Sequence, residues 1–263
     1  MTMPRLAASL LSLILLAGVA LPGVVLAQQQ VIAVRSAEFD DRDPVDFGRN
    51  GPDRYPVHGI DVARYQGTVD WHAAARAGVN FAFIKATEGG DLLDSEFAQN
   101  WLMSGRAGVL RGAYHFYYFC TDAETQAKWF IRNVPRQKGA LPPVLDMEWN
   151  HLSPTCQKRP SGSVVRSEMK IFLDMLHRHY GQRPVVYTTP QFYKDAGLHR
   201  LTQEEFWLRS VARPLDQVYP GQRWSFWQYS GTGVVPGLKG DVDLNAFAGS
   251  RQAWAQWVGL RQQ

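Results

Sequence analysis

The sequence predicts an α/β fold, a closed β/α (TIM-like) barrel in a single domain. Two observations predict it. From residue 57 onward, short apolar strand candidates alternate with helical segments eight times. The first strand is not followed by Gly-x-Gly-x-x-Gly, which weakens the runner-up, an open doubly wound sheet that binds a nucleotide. The size agrees: 263 residues, 45% hydrophobic and 20% charged, can bury one large core.

The strand candidates are 57–62, 81–86, 109–119, 143–148, 184–188, 206–209, 223–229 and 242–244, the sixth being the weakest. Three helices carry clear signals. Residues 95–107 place apolar side chains at helical spacing and run into Gly108, a natural stop. Residues 122–134 follow Thr121, a capping side chain, and end at Pro135. Residues 163–180 align Met169, Phe172, Leu173 and Leu176 on one face and end at Gly181. There is no internal repeat.

The N-terminus stands apart. Arg5 is followed by an uncharged run rich in Leu, Val and Ala that closes with Val25-Leu26-Ala27. That is the pattern of a secretory signal peptide over residues 1–27, cut after Ala27. An uncleaved membrane anchor is the alternative, since the run is long enough to span. Cleavage predicts a secreted or periplasmic protein without stable membrane insertion. Residues 28–55 are polar and read as a flexible or surface-draped arm. Residues 56–263 form the barrel domain.

The formal charge is +4, or +3 without Arg5, and the basic residues are scattered. No nucleic-acid partner is expected, although a mild positive charge favours encounter with an anionic polymer such as a cell wall. The chain has two cysteines, Cys120 and Cys156, so one internal pair is possible. A bridge would close a loop of about 37 residues, worth about 4 kcal/mol in the chain-entropy model. No metal site or cofactor is expected, because the cysteine spacing and the absence of a His-x-x-x-His pair provide no ligand set.

The chemistry concentrates in acids at strand ends. Asp146 and Glu148 lie two residues apart at the end of the fourth strand and so face the same side. Two carboxyls side by side next to apolar surface have their pKa values pushed apart. One proton donor beside one anion is what cleavage of a glycosidic bond requires. Asp61 ends the first strand and Asp243 the last. First and eighth strands are neighbours in a closed barrel, so four acids converge on one rim. Taken singly, each Asp has an ordinary structural reading as a cap or ion-pair partner; the convergence raises the catalytic one.

Aromatic residues fall in the same places. Tyr65 follows Asp61, Tyr114 sits near the end of the third strand, Tyr187 in the fifth and Trp227 in the seventh. Flat faces with polar tips suit pyranose rings, while core packing accounts for half or more of such residues. His115 is expected to be a hydrogen-bonded structural histidine. Lys85 and Glu88 are expected to pair with each other or with the rim acids.

These residues fall into motifs that resemble the glycoside hydrolase family 25 lysozymes. His58-Gly59-Ile60-Asp61-Val62, with Tyr65-Gln66-Gly67 and Asp70-Trp71 after it, resembles the family's opening. Phe83-Ile84-Lys85-Ala86-Thr87-Glu88-Gly89, Gly112-Ala113-Tyr114-His115-Phe116, Leu145-Asp146-Met147-Glu148, Trp227-Gln228-Tyr229 and Val242-Asp243-Leu244-Asn245 follow in the family's order. Each motif alone is weak; six in order are specific.

The resemblance implies an irregular, flattened barrel and an N-acetylmuramidase acting on peptidoglycan. By position, Glu148 would be the general acid and then base, and Asp146 would assist the intermediate. Asp61 and Asp243 would position groups and tune the pair. It further implies retention of configuration, with the substrate's acetamido group as nucleophile; the sequence leaves attack by a carboxylate open. Arg209 departs from the pattern, standing where the family commonly has a small residue. It would charge or narrow one edge of the cleft, and it joins Tyr65, Tyr114, Tyr187 and Trp227 as a substrate-binding candidate. A monomer is expected. The alternative function is a non-catalytic wall-binding module on the same fold, which the presence of all four acids argues against. An exported glycosidase acting on chitin-like oligomers is a more distant reading.

Overall fold

The structure is a computed structural model that describes residues 33–150 and 152–261. The expected signal peptide over residues 1–27 lies outside the described residues. Among the described residues, no helix is long and apolar enough to cross a membrane.

Eight strands form the barrel: β1 (His58–Val62), β2 (Phe81–Glu88), β3 (Leu110–Phe116), β4 (Val144–Met147), β5 (Val185–Thr188), β6 (Glu205–Arg209), β7 (Phe226–Val234) and β8 (Val242–Phe247). They pair in the order β7-β8-β1-β2-β3-β4-β5-β6, and β6 returns to β7 to close the ring. Helices α1 (Trp71–Arg76), α2 (Phe97–Arg106), α3 (Ala123–Asn133), α4 (Gly162–Tyr180), α5 (Pro190–Ala196) and α6 (Leu215–Val218) fill the parallel crossovers, and α7 (Arg251–Gly259) follows β8. Asp70 and Asp122 cap α1 and α3 with their carboxylates, and Gly181 closes α4 in the left-handed conformation at φ 73°.

One strand departs from a fully parallel barrel. β8 runs antiparallel to both β7 and β1. Only residues 235–241 separate it from β7, and a parallel return needs a crossover of about a dozen residues or more. β7 is also longer than the sequence suggests, running on through Gly231 and Gly233 to Val234.

Strand alternation divides the core in two. Phe81, Phe83, Val144, Val185, Tyr187, Trp207, Phe226 and Phe247 fill the barrel interior. Ile60, Val62, Ile84, Leu145, Met147, Val186, Phe206, Leu208 and Leu244 face outward against the helices, with Phe130, Phe172 and Leu176 among the helix residues in the same cluster. Gly59 is required by this packing: a Cβ there would sit 2.3 Å from the Phe81 carbonyl oxygen and 2.6 Å from its ring. At the base, Trp254 and Trp257 of α7 stack at 5.6 Å, and Trp254 reaches Phe81 and Phe247. α7 therefore plugs the end of the barrel opposite the C-terminal ends of the parallel strands.

Of the arm predicted over residues 28–55, residues 33–55 lie against the barrel. Asp40–Asp41 pairs with the far end of β7. Asn80 accepts from the Arg35 amide and donates to its carbonyl, both at 2.8 Å. Phe47 is buried edge-on against Trp227 at 5.0 Å.

Candidate active site

A cleft of about 1070 Å³ opens at the C-terminal ends of the parallel strands. Asp61, Asp146, Glu148 and Asp243 all line it, so the four acids converge as the sequence predicted. The reason differs for Asp243. It stands at the start of β8, not at its end, and the antiparallel direction of that strand brings it to the same rim. There it pairs in register with Asp61 of β1.

Asp61 is held firmly. Its Oδ2 accepts from Nδ2 of Asn245 at 2.8 Å and from Nε2 of Gln228 at 3.0 Å. Gln228 in turn accepts from the Tyr187 hydroxyl at 2.9 Å, and Asn245 from the Trp207 indole at 2.7 Å. Sequence reasoning assigned no role to Gln228 or Asn245. Strand alternation could have found both: Gln228 follows the inward Phe226 by two residues, and Asn245 follows Asp243 by two.

Burial sets the proton affinities. Burial, and then the neighbouring Asp243, push the Asp61 carboxyl well above the usual range, although its amide donors oppose this. Burial raises Asp243 to about 6, while the Arg209 guanidinium and a hydrogen bond with Asp61 hold it down. Burial thus favours the proton on Asp61. Burial and the adjacent Glu148 push Asp146 well up, against the pull of Lys85. Burial also raises Glu148, with Arg209 opposing and Asp243 adding to the rise. Asp146 is the deeper of the pair and its Oδ1 has no hydrogen-bond partner; Glu148 is more open to the cleft.

The walls are built from β2, β3 and two rim loops. Lys85 pairs with Glu88 at 2.5 Å. Burial would raise Glu88, but Lys85 and a hydrogen bond from the Tyr118 hydroxyl outweigh it and keep the carboxylate ionised. The Tyr118 oxygen also meets Asn150 and Ser153. Cys120 and Cys156 form a disulfide with a Cα–Cα distance of 5.8 Å, joining the loops after β3 and β4 along the cleft edge. His115 lies behind the wall, buried, with its nitrogens at 2.7 Å from Thr87 Oγ1 and 3.0 Å from Gln126 Oε1. Burial lowers it to about 4, so it is a neutral structural group.

Of the aromatic candidates, Tyr65, Tyr114 and Tyr187 line the cleft, as does Arg209. Tyr65 is 73% exposed at the rim. Trp227 does not reach the cleft. It alternates with the inward Phe226 and Gln228, so its ring points outward and packs against Phe47 and Trp224. Its indole nitrogen donates to the Ser210 carbonyl at 2.8 Å. It is a core residue, 1% exposed.

Comparison with known proteins gives this geometry a context. The profile of the Glycosyl hydrolases family 25 matches residues 60–238, which includes Asp61, Asp146 and Glu148 and stops short of β8. Uncharacterized protein YegX of Escherichia coli O157:H7 is 36% identical over 224 residues, covering 82% of this chain and 79% of that protein. Lysozyme M1 of Streptomyces globisporus is 36% identical over 215 residues, covering 76% of this chain and 71% of its own length. The solved structure of a family 25 glycosyl hydrolase from Bacillus anthracis superposes with a TM-score of 0.71 at 34% identity, over 82% of this chain and 98% of that one. Sequence profile, relatives and barrel architecture agree, and the chain belongs to glycosyl hydrolase family 25.

Proposed function

We propose that this glycosidase is a peptidoglycan lysozyme. It cleaves the β-1,4 bond between N-acetylmuramic acid and N-acetylglucosamine with retention of configuration, and Glu148 serves as acid and then base. The observation that carries this reading is the Asp146–Glu148 pair at the cleft floor, with the more open carboxyl on Glu148. The name of the Streptomyces globisporus relative supports the substrate class.

The residues divide the work. Glu148, its proton retained by burial and by the Asp243 charge, protonates the departing glycosidic oxygen. As a carboxylate it then takes a proton from the incoming water. Asp146 has a buried oxygen without a partner, a cost of about 1–3 kcal/mol. The acetamido N–H of the muramic acid ring relieves that cost, and the contact turns the acetamido oxygen toward the anomeric carbon. Asp61 and Asp243, paired in register on β1 and β8, set the field at Glu148. Tyr65, Tyr114, Tyr187 and Arg209 contact the glycan. The enzyme acts outside the cytoplasmic membrane, exported by residues 1–27 with cleavage after Ala27, where its disulfide persists.

Mass spectrometry of a peptidoglycan digest tests the bond. New reducing ends on N-acetylmuramic acid are expected; reducing ends on N-acetylglucosamine would overturn it. Glu148→Gln should lose about a hundredfold or more in rate while melting like wild type. Wild-type clearance by that variant would remove Glu148 from its role. NMR of the first-formed anomer reads retention directly.

A further inference from the structure

Three cations line the cleft: Arg64, Lys85 and Arg209. Lys85 is neutralised by Glu88 at 2.5 Å. Arg64 lies over the exposed Tyr65 ring, 5.2 Å from its centre. Arg209 differs from both. It is half-buried at the end of β6, beside Gln228 of β7. Among the described residues, its guanidinium makes no ion pair within 4 Å and no side-chain hydrogen bond.

The groups that face Arg209 are Asp61 on β1, Glu148 after β4, Asp243 on β8, and the phenols Tyr187 on β5 and Tyr219 after α6. Each of these carboxyls feels the Arg209 charge, yet among the described residues none comes within 4 Å of its guanidinium, so its hydrogen-bond donors stay unused. A half-buried guanidinium with unused donors is a receptor for a planar carboxylate, which it can grip through two hydrogen bonds. The hydroxyls and acetamides of a peptidoglycan glycan are neutral. A carboxylate occurs on the lactyl ether of muramic acid, and only where no peptide is joined to it by an amide.

We propose that Arg209 is a specificity-determining residue that binds the free lactyl carboxylate of muramic acid, so that the enzyme prefers glycan strands from which the peptide has been removed. This rests on the lysozyme reading above. It also places the enzyme after another reaction. Amide hydrolysis must supply its preferred substrate: water adds across the lactyl C–N bond, leaving a carboxylate on the sugar and an amine on the released peptide.

The test compares kcat/KM on three matched glycan preparations: peptide-free strands, the same strands carrying peptide, and peptide-free strands with the lactyl carboxylate methyl-esterified. The wild type should favour the peptide-free carboxylate form by about tenfold or more over both others. The ester arm separates charge from the bulk of the peptide and needs no variant. Arg209→Gln should bring the three rates close together, and Arg209→Lys should keep part of the preference. If Arg209→Gln slows all three equally and moves only the pH profile, Arg209 acts through the acids alone and the proposal falls. A wild type that cuts ester and carboxylate equally, or favours peptide-bearing strands, overturns it too. If no preparation is cut, the lysozyme reading itself fails and this proposal with it.

Discussion

Asp243 and Asp61 face each other across an antiparallel seam of the barrel, in direct register and joined by a side-chain hydrogen bond. The negative charge that Asp243 takes on above its pKa of about 6 raises the proton affinity of Glu148. On the proposed assignment Glu148 donates its proton, so activity should fall as pH rises through its pKa. Asp243→Asn removes the charge that lifts that pKa. The alkaline limb of the kcat/KM profile should therefore move to lower pH, while the two profiles approach each other below about pH 6, where wild-type Asp243 is itself neutral. An alkaline limb that stays in place would show that Asp243 does not act on Glu148.

The same acid should cost stability. In the folded chain Asp243 titrates at about 6, against about 3.9 in an unfolded chain. Between those values the folded state holds a proton that the unfolded state has released. Its contribution is therefore fully present below about pH 4 and is lost as pH rises to about 6. Asp243→Asn should raise stability at pH 7–8 by about 1–3 kcal/mol, and by less at pH 4. Urea denaturation at the two pH values measures the difference; an equal gain at both would contradict it.

The Cys120–Cys156 bridge should matter to the cleft as well as to the fold. It ties down the loop whose Asn150 and Ser153 meet Tyr118, which in turn holds Glu88 beside Lys85. Replacing both cysteines by Ala should lower stability by about 2–4 kcal/mol, or roughly 2–4 °C in Tm for each kcal/mol. KM should rise in the surviving folded protein, because one wall of the cleft is no longer fixed. Reduction of the wild type should reproduce both changes, whereas the Ala variant should not respond to reductant.

Tyr65 and Trp227 should separate cleanly. Tyr65 is largely exposed, so Tyr65→Ala should leave stability within about 0.5 kcal/mol and reduce kcat/KM several-fold through lost ring contact, about 1 kcal/mol. Trp227 is buried between the barrel and the arm, so Trp227→Ala should cost about 3–5 kcal/mol and leave the KM of the folded fraction nearly unchanged. Calorimetry and steady-state kinetics on both variants decide the assignment.

The barrel and its four acids were legible because the strands are apolar and bounded, and because Asp61, Asp146 and Glu148 stand at or just beyond the C-terminal ends of theirs. Asp243 was found for a reason that turned out different. Strand order puts it at the end of the last strand, and the Gly-rich extension of β7 through Gly231 and Gly233 hides how short the return to β8 is. Trp227 misled because its large ring in a strand near the cleft suits sugar stacking, and its side of the strand is set by the neighbours Phe226 and Gln228. Gln228 and Asn245 escaped because neutral amides carry no charge signal. Their role depends on which way they face and on β8 being seated beside β1, which carries Asp61. Residues 28–55 read as a flexible or surface-draped arm, but where it docks was hidden, since Phe47 finds Trp227 only once the barrel exists.

The position of β8 has a consequence for how the enzyme comes into being. It is the last barrel strand to leave the ribosome, yet it is seated between β1 and β7, the first strand and the one made just before it. Asp243 and Asn245 arrive with it, and the tryptophan plug of α7 arrives later still. Until then β1 lacks one neighbour, Asp61 lacks its amide donor from Asn245 and its acidic partner, and the ring is held only through the β6–β7 contact. An unfinished chain cannot assemble the Asp61–Asp243 pair. The acidic rim of the cleft is therefore completed late and all at once, when nearly the whole barrel domain has been synthesised.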